Sequence, residues 1–417
     1  MQLLILSQYY SPEIGAAAIR LSRLARLLAA DGHLVTVLTG MPNYPAGKIQ
    51  PPYRGKLIYR ERLDGVDVRR VWLYTTPSKR ARARILNQLS FMGATALWGM
   101  SLPRPDVILV ESHPLFVTLT GGWLRRLKRA PVVLNVSDLW PESAVATGVL
   151  RAGSTIVKVA QRVERWAYGD AAHIVGMTQG VVDGILRVHP RPERVSLITN
   201  AVDLERFQPA DAAMRERARR VLGLPFDRPI AVHIGNMSLT YDFEIILSAA
   251  EYLPEILFVF VGDGSQAAYV ASEIETRQLE NVQMLGVLPH EEMPRVWSAA
   301  DVCLIALADH ALAAGTRPAK LYEAFATGTP IIAAIRGEGA AVIEQAEAGI
   351  VVAVGDRAGY IAALKELATS PERRERMSAA GRAFAEKAFS PLVVKQAYQT
   401  VFEQVTRNKS SISPQLT

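Results

Sequence analysis

Residues 315–334 read GTRPAKLYEAFATGTPIIAA and bring together groups suited to a bound anion and a sugar hydroxyl. Arg317 and Lys320 flank Pro318, and Glu323 is the one carboxylate in a run of small and apolar residues. Pro318 suits the first turn of a helix, where its missing N–H has no intrahelical role. A helix N-terminus attracts anions because its first amides are unpaired and its dipole is positive there. The amides of Ala319 and Lys320 would face such an anion, and the side chains of Arg317 and Lys320 would add full charges. Glu323 lies about 7.5 Å further along the axis from Pro318, at ~1.5 Å rise per residue. That is roughly the span from the diphosphate of a nucleotide to its ribose hydroxyls, which a carboxylate is suited to accept. One short helix, ending near Ala326 before a turn at Gly328, would then hold a nucleoside diphosphate by both ends. An ordinary packed helix with an exposed Arg-Lys start is the other reading of the same residues.

Further candidates stand in the first half. In DLWPES, Asp138 and Glu142 follow an apolar strand pattern and are placed to orient or deprotonate a hydroxyl. A helix cap or first-turn acid accounts for them equally well. Trp140 between them is suited to stacking on a sugar ring or to filling a core. In residues 78–105 four cations precede a stretch, 85–103, that carries no charge. It is nearly long enough to span a bilayer, but its Asn, Gln, Ser, Thr and Gly residues favour an interfacial helix with cations at headgroup level. A partly buried helix is the alternative. GGWLRRLKRAP at 121–131 adds a second basic patch bearing a tryptophan.

These residues need a frame, and the hydrophobic pattern supplies one. Short apolar runs alternate with amphipathic stretches along the whole chain: 3–6, 34–38, 68–73, 107–110, 132–136, 173–176 and 195–198, then 230–235, 256–264, 282–286, 302–307, 329–334 and 349–354. Such alternation predicts right-handed βαβ units around mainly parallel sheets. At 417 residues the chain suits two domains. The polar stretch 199–211 reads as their connection, and ligands are expected beyond the carboxyl ends of the strands. The single cysteine, Cys303, rules out an internal disulfide. The apolar start, MQLLILSQYY, lacks a basic n-region and reads as a buried strand. Charge is uneven: residues 1–200 hold 26 Lys+Arg against 13 Asp+Glu, and the remainder 21 against 27, for a total of +7. A basic first half points to an anionic partner such as phosphate, a lipid surface or nucleic acid, and a solvated basic face is the other reading. No nucleic-acid-binding motif accompanies it.

Taken with the rest of the chain, the P-x-K stretch resembles the donor-binding motif of family 4 glycosyltransferases. The resemblance implies the GT-B fold, two Rossmann-like doubly wound α/β domains facing a cleft. The expected division is an acceptor-side domain at 1–203, a nucleotide-sugar domain at 204–388, a helix at 389–407 crossing back to the first domain, and a loose tail at 408–417. YYSPEIGAAAIRLSRLARLLAADGHLVTVLTG resembles the family's first loop and helix, where Gly15 matches a glycine that lets backbone approach the donor phosphates. DLWPESAVATG, ITNAVDLERF, VGDGSQ, MLGVLPHEEMPRVWSAADVCLIAL and GEGAAVIEQAEAGIVVAVGD follow in the family's order. Glu323 matches the second of two family glutamates, the ribose binder, while Gly315 stands where the first is expected. Asn236 occupies the usual arginine position and Tyr241 lies near the usual lysine position; Arg317 and Lys320 are candidates to replace that charge. The resemblance places the base in the loop around Val287 and Leu288, and His113 is offset from a family histidine that contacts the donor sugar.

The resemblance implies a retaining, metal-independent transfer from a UDP-sugar, with no other cofactor. The leaving diphosphate would be met by the helix start at Pro318 and Ala319, Arg317 and Lys320. The subgroup suggests an N-acetylhexosamine or deoxy sugar, and a lipid diphosphate-linked or saccharide acceptor in O-antigen or capsule assembly. The expected location is cytoplasmic, peripheral on the inner face of the plasma membrane. A UDP-sugar 2-epimerase or an inactive nucleotide-binding partner of another transferase shares the same scaffold.

Overall fold

The computed structural model describes the chain except residues 79, 147–148, 310–314, 316 and 411–417. It divides into two compact units, Met1–Asn200 together with the chain from Pro391 onward, and Ala201–Ser390. The boundary falls a few residues from the expected one for a local reason. The backbone N–H of Val202 donates to the carbonyl of Phe389 at 2.9 Å, which ties both ends of the second unit to each other.

In the first unit the strands are β1 (Gln2–Leu6), β2 (Leu34–Gly40), β3 (Ile58–Leu63), β4 (Val66–Val71), β5 (Val107–Glu111), β6 (Val132–Val136), β7 (His173–Gly176) and β8 (Val195–Leu197). They form one sheet in the order β3-β4-β2-β1-β5-β6-β7-β8. All neighbours are parallel except β3 and β4, an antiparallel hairpin at one edge. That edge strand was absent from the sequence reading because it has no apolar run; it alternates between exposed and half-buried residues. Its signal was the Asp64-Gly65 pair, both at positive φ, as a two-residue hairpin turn requires. The helices are α1 (Ala16–Ala30), α2 (Ala81–Gly99), α3 (Val117–Lys128), α4 (Glu142–Ala146), α5 (Thr155–Asp170) and α6 (Gln179–Val188). β5 and β6 are buried along their whole length, as strands covered on both faces must be.

The second unit contains α7 (Ala212–Leu222), β9 (Ile230–Ile234), α8 (Phe243–Tyr252), β10 (Leu257–Val261), α9 (Ala267–Thr276), β11 (Val282–Gly286), α10 (Met293–Ala299), β12 (Val302–Ala306), α11 (Lys320–Thr327), β13 (Ile331–Ala334), α12 (Glu338–Gln345), β14 (Gly349–Val352), α13 (Arg357–Thr369) and α14 (Pro371–Ala388). Its sheet is fully parallel in the order β11-β10-β9-β12-β13-β14. Two apolar clusters cover its faces, one around Trp297, Leu321 and Phe325, the other around Phe243, Phe258 and Tyr360. The direction of winding reverses between β9 and β12, so loops diverge there and leave room for a ligand.

The last helix, α15 (Pro391–Ser410), packs in the first unit against α1, β5 and β6. Its Tyr398 hydroxyl donates to Asn135 Oδ1 at 2.6 Å, inside a cluster that sequence reasoning did not single out. There Glu111, fully buried at the end of β5, accepts from Arg20 at 2.6 Å, from Asn135 Nδ2 at 2.6 Å and from Ser137 at 2.7 Å. A buried carboxylate with three donors is satisfied, and it pins α1, β5, β6 and, through Asn135, α15 to one another.

Candidate active site

In the second unit the carboxyl ends of β9, β10 and β11 are knitted by backbone bonds. Gly235 N donates to Val261 O at 2.8 Å, Gly262 N to Gly286 O at 2.8 Å, and Met237 N to Asp263 O at 2.9 Å. Gly262 has φ +136, and a Cβ there would lie 2.0 Å from the carbonyl oxygen of Gly235, so only glycine fits. The result is a flat, exposed ledge at Gly235 and Asn236 beside the point where the winding reverses. Val287, 71% exposed, and half-buried Leu288 follow β11 at the same end of the sheet.

α11 starts beside that ledge. It runs from Lys320 with Ala319 as its N-cap residue, and it stops at Gly328, whose φ of 63 gives the left-handed cap that glycine adopts freely. Pro318 is buried and Ala319 exposed. Glu323 is half-buried, and its Oε2 accepts from the indole N–H of Trp297 at 2.8 Å.

Lys320 and Arg317 differ from the two standing charges that the sequence suggested. Lys320 is buried, with Nζ 3.1 Å and 3.2 Å from the two ring nitrogens of His233 and 4.2 Å from the centre of the Tyr241 ring. Burial lowers its pKa to about 7, with Cys303 and Glu323 opposing. Burial, and then the neighbouring Lys320, push His233 well below its ordinary value. Helix geometry explains the placement: Lys320 opens α11 on the side that faces β9, and the Cε of Lys320 lies 4.0 Å from where a Cβ on Gly235 would sit. Arg317 forms an ion pair with Glu338 of α12, the two side chains being 7% and 9% exposed. Neither His233 nor Glu338 was foreseen. His233 sits inside an apolar strand and reads as core, and Glu338 comes from a separate βα unit.

The first unit offers a cavity of ≈430 Å³ at the carboxyl ends of its strands, lined by Tyr9, Tyr44, Asn87, Gln88, His113 and Trp140 among others. Among the described residues Gln88 Oε1 is buried without a hydrogen-bond partner. Arg84 of α2 also lines it. His113 is exposed on this wall, so the structure brings His113 and Trp140 together. Asp138 and Glu142 are not on that wall. Asp138 accepts from Ser143 Oγ at 2.7 Å, and Glu142 pairs at 3.4 Å with Arg187 on the surface. Both carboxylates are exposed, Asp138 bonded to the start of α4 and Glu142 to α6. Gly15 is the N-cap residue of α1 at φ −70, where a Cβ would come no closer than 3.8 Å, to Tyr44.

Residues 15–201 match the glycosyl transferase 4-like domain, and residues 214–384 match glycosyl transferases group 1. The chain belongs to glycosyltransferase family 4. It is a glycosyltransferase, and its two parallel-sheet α/β units are those of the GT-B fold. Among curated relatives it is 25% identical over 334 residues to the putative colanic acid biosynthesis glycosyl transferase WcaI of Escherichia coli K12, covering 79% of this chain and 82% of that protein. It is 26% identical over 385 residues to the 2-deoxystreptamine N-acetyl-D-glucosaminyltransferase of Streptomyces fradiae, covering 88% and 86%. Among solved structures it is similar in fold to Anabaena Alr3699/HepE in complex with UDP and glucose, at TM-score 0.71 and 17% identity over 96% of this chain and 99% of that one. Sucrose-phosphate synthase from Thermosynechococcus elongatus is similar at TM-score 0.72 and 18% identity, over 98% and 99%.

Proposed function

We propose that this glycosyltransferase moves a sugar from a UDP-sugar, with retention and without a metal ion, onto a lipid diphosphate-linked saccharide in cell-surface polysaccharide assembly. The observation that carries the reading is Glu323, fixed by Trp297 one turn inside α11, whose N-terminus adjoins the Gly235–Asn236 ledge. In this reading the diphosphate lies on the ledge and the first amides of α11, and Glu323 accepts from the ribose. Uracil packs near Val287 and Leu288. Charge on the leaving diphosphate is met by those amides and by Lys320. A preorganised set of donors of this kind contributes roughly 3–4 kcal/mol in the transition state.

The acceptor reading rests on the first unit. Its cavity combines aromatic rings, which pack on sugar faces, with the amides of Asn87 and Gln88. Arg84 on its wall suits a phosphate, and the same helix, α2, presents an apolar outer face suited to lipid. WcaI, named for colanic acid, supports a polysaccharide role, and the Streptomyces relative supports an N-acetylhexosamine donor.

The test is turnover of UDP-N-acetylglucosamine and related UDP-sugars with an undecaprenyl diphosphate-linked saccharide. Release of UDP with a larger glycolipid is the expected result. Formation of a 2-epimer without acceptor would replace this reading with an epimerase, and failure of every UDP-sugar to bind would remove the donor assignment.

A further inference from the structure

Trp297 is sealed in the core of the second unit, 1% exposed, on α10. A buried indole N–H needs an acceptor, and here the acceptor is the Glu323 carboxylate at 2.8 Å. The partner is the single acid of α11. The backbone of Glu323 is held as well, since Thr327 Oγ1 donates to its carbonyl at 2.9 Å. The same Thr327 Oγ1 lies 2.9 Å from Thr329 Oγ1, which anchors the end of the helix. A glutamate has three side-chain torsions, and a charge-assisted bond to a rigid, buried ring fixes them before any ligand arrives.

We propose that Trp297 is the positioning residue of the donor site, holding Glu323 in the orientation that accepts the ribose hydroxyls. The inference rests on the assignment of Glu323 to the ribose. Trp297 touches no substrate in this role; it acts through Glu323 Oε2. Its effect is therefore confined to ligands that carry ribose hydroxyls, whereas a merely structural role would weaken every ligand alike.

The test measures binding of UDP and of 2′,3′-dideoxy-UDP by calorimetry to the full chain, to Glu323→Gln and to Trp297→Phe. Trp297→Phe is expected to weaken UDP on the order of ten-fold, the usual effect of losing a hydrogen bond to a charged group, and to leave the dideoxy compound within about two-fold. Equal weakening of both ligands, or none of either, would overturn the positioning role while Glu323→Gln still discriminates them. If the unsubstituted protein and Glu323→Gln bind the two ligands alike, the ribose assignment itself fails. Should Trp297→Phe not fold, 3-benzothienylalanine at position 297 keeps the ring shape and removes only the N–H, and the same comparison applies.

Discussion

Lys320 Nζ lies 3.1 Å from Nε2 and 3.2 Å from Nδ1 of His233, and both side chains are sealed from solvent. Burial in one dry box disfavours the charged form of both bases, and each charge opposes the other. Burial takes Lys320 from 10.5 down to about 7 and drives His233 well below 6.5. The sign of the linkage follows. Between about pH 7 and 10.5 the unfolded chain binds the Lys320 proton more tightly than the folded one, so folding becomes more favourable as pH rises through that window. The cost is largest below pH 7 and fades towards 10.5. Lys320→Met should therefore be the more stable protein near neutral pH, with an advantage that shrinks by up to about 1.4 kcal/mol per pH unit on the way to pH 9.5. Denaturant titrations at several pH values measure the difference, and two parallel stability curves would refute the link.

The same depressed lysine gives the donor site a signature of its own. At pH 8 Lys320 stands above its pKa of about 7 and is mostly neutral. A diphosphate on the adjoining ledge favours its charged form, so UDP binding should draw in a proton, between zero and one per molecule bound. Calorimetry of UDP binding in buffers of different ionisation heat reads that number directly. Lys320→Met should bind UDP more weakly and take up no proton. If the unsubstituted protein also takes up none at pH 8, Lys320 does not respond to the diphosphate.

Most of this frame was readable in the sequence, for a physical reason. Strands covered by helices are apolar runs, and each of the thirteen apolar runs in the sequence holds a strand, the half-buried β8, β11 and β14 included. β3 escaped because its residues alternate between exposed and half-buried and form no apolar run. The helix at Lys320–Thr327 was legible from its Pro318 start and Gly328 stop. What the sequence hid was pairing between separate βα units. Trp297 precedes Glu323 by 26 residues and His233 precedes Lys320 by 87, and no local pattern encodes either contact. Likewise the sequence could not tell that Asp138 bonds Ser143 and that Glu142 pairs with Arg187, 45 residues on, away from the wall that holds His113 and Trp140.

Arg317 and Glu338 form a buried pair, and removal of one partner deprives the other of its opposing charge. Arg317→Ala is expected to cost about 3–5 kcal/mol of stability. It should also weaken UDP binding more than Asn236→Ala does, because Asn236 carries no charge to lose. Glu338→Gln keeps the shape of the pair and removes the opposing charge, which leaves Arg317 a stronger field for a diphosphate. UDP should then bind more tightly to Glu338→Gln, provided thermal melting shows the variant folded. Unchanged affinity in Glu338→Gln would restrict Arg317 to holding α12 in place.

The proposed lipid contact of α2 is separable from turnover. Its inner face is core, with Phe91 and Thr95 fully buried. The opposite stripe holds Leu86, Leu89, Leu97 and Met100 at 40–59% exposure, and α3 beside it exposes Trp123 and Leu127. Arg82, Arg126 and Arg129 are exposed on the same two helices and their ends. Among the described residues no helix is long and apolar enough to cross a bilayer, and an apolar stripe with cations at its margin suits the headgroup boundary instead. The protein should therefore co-sediment with phosphatidylglycerol vesicles at low salt and be released as salt rises, since screening weakens attraction to anionic lipid. A Leu89→Glu, Leu97→Glu double variant removes two side chains that would each bury worth about 1.5–3 kcal/mol, so vesicle binding should fall at least ten-fold. Neither leucine lines the cavity, so turnover of a short-chain, water-soluble acceptor should stay as it was. Vesicle binding that survives the double substitution would place the lipid contact elsewhere on the chain.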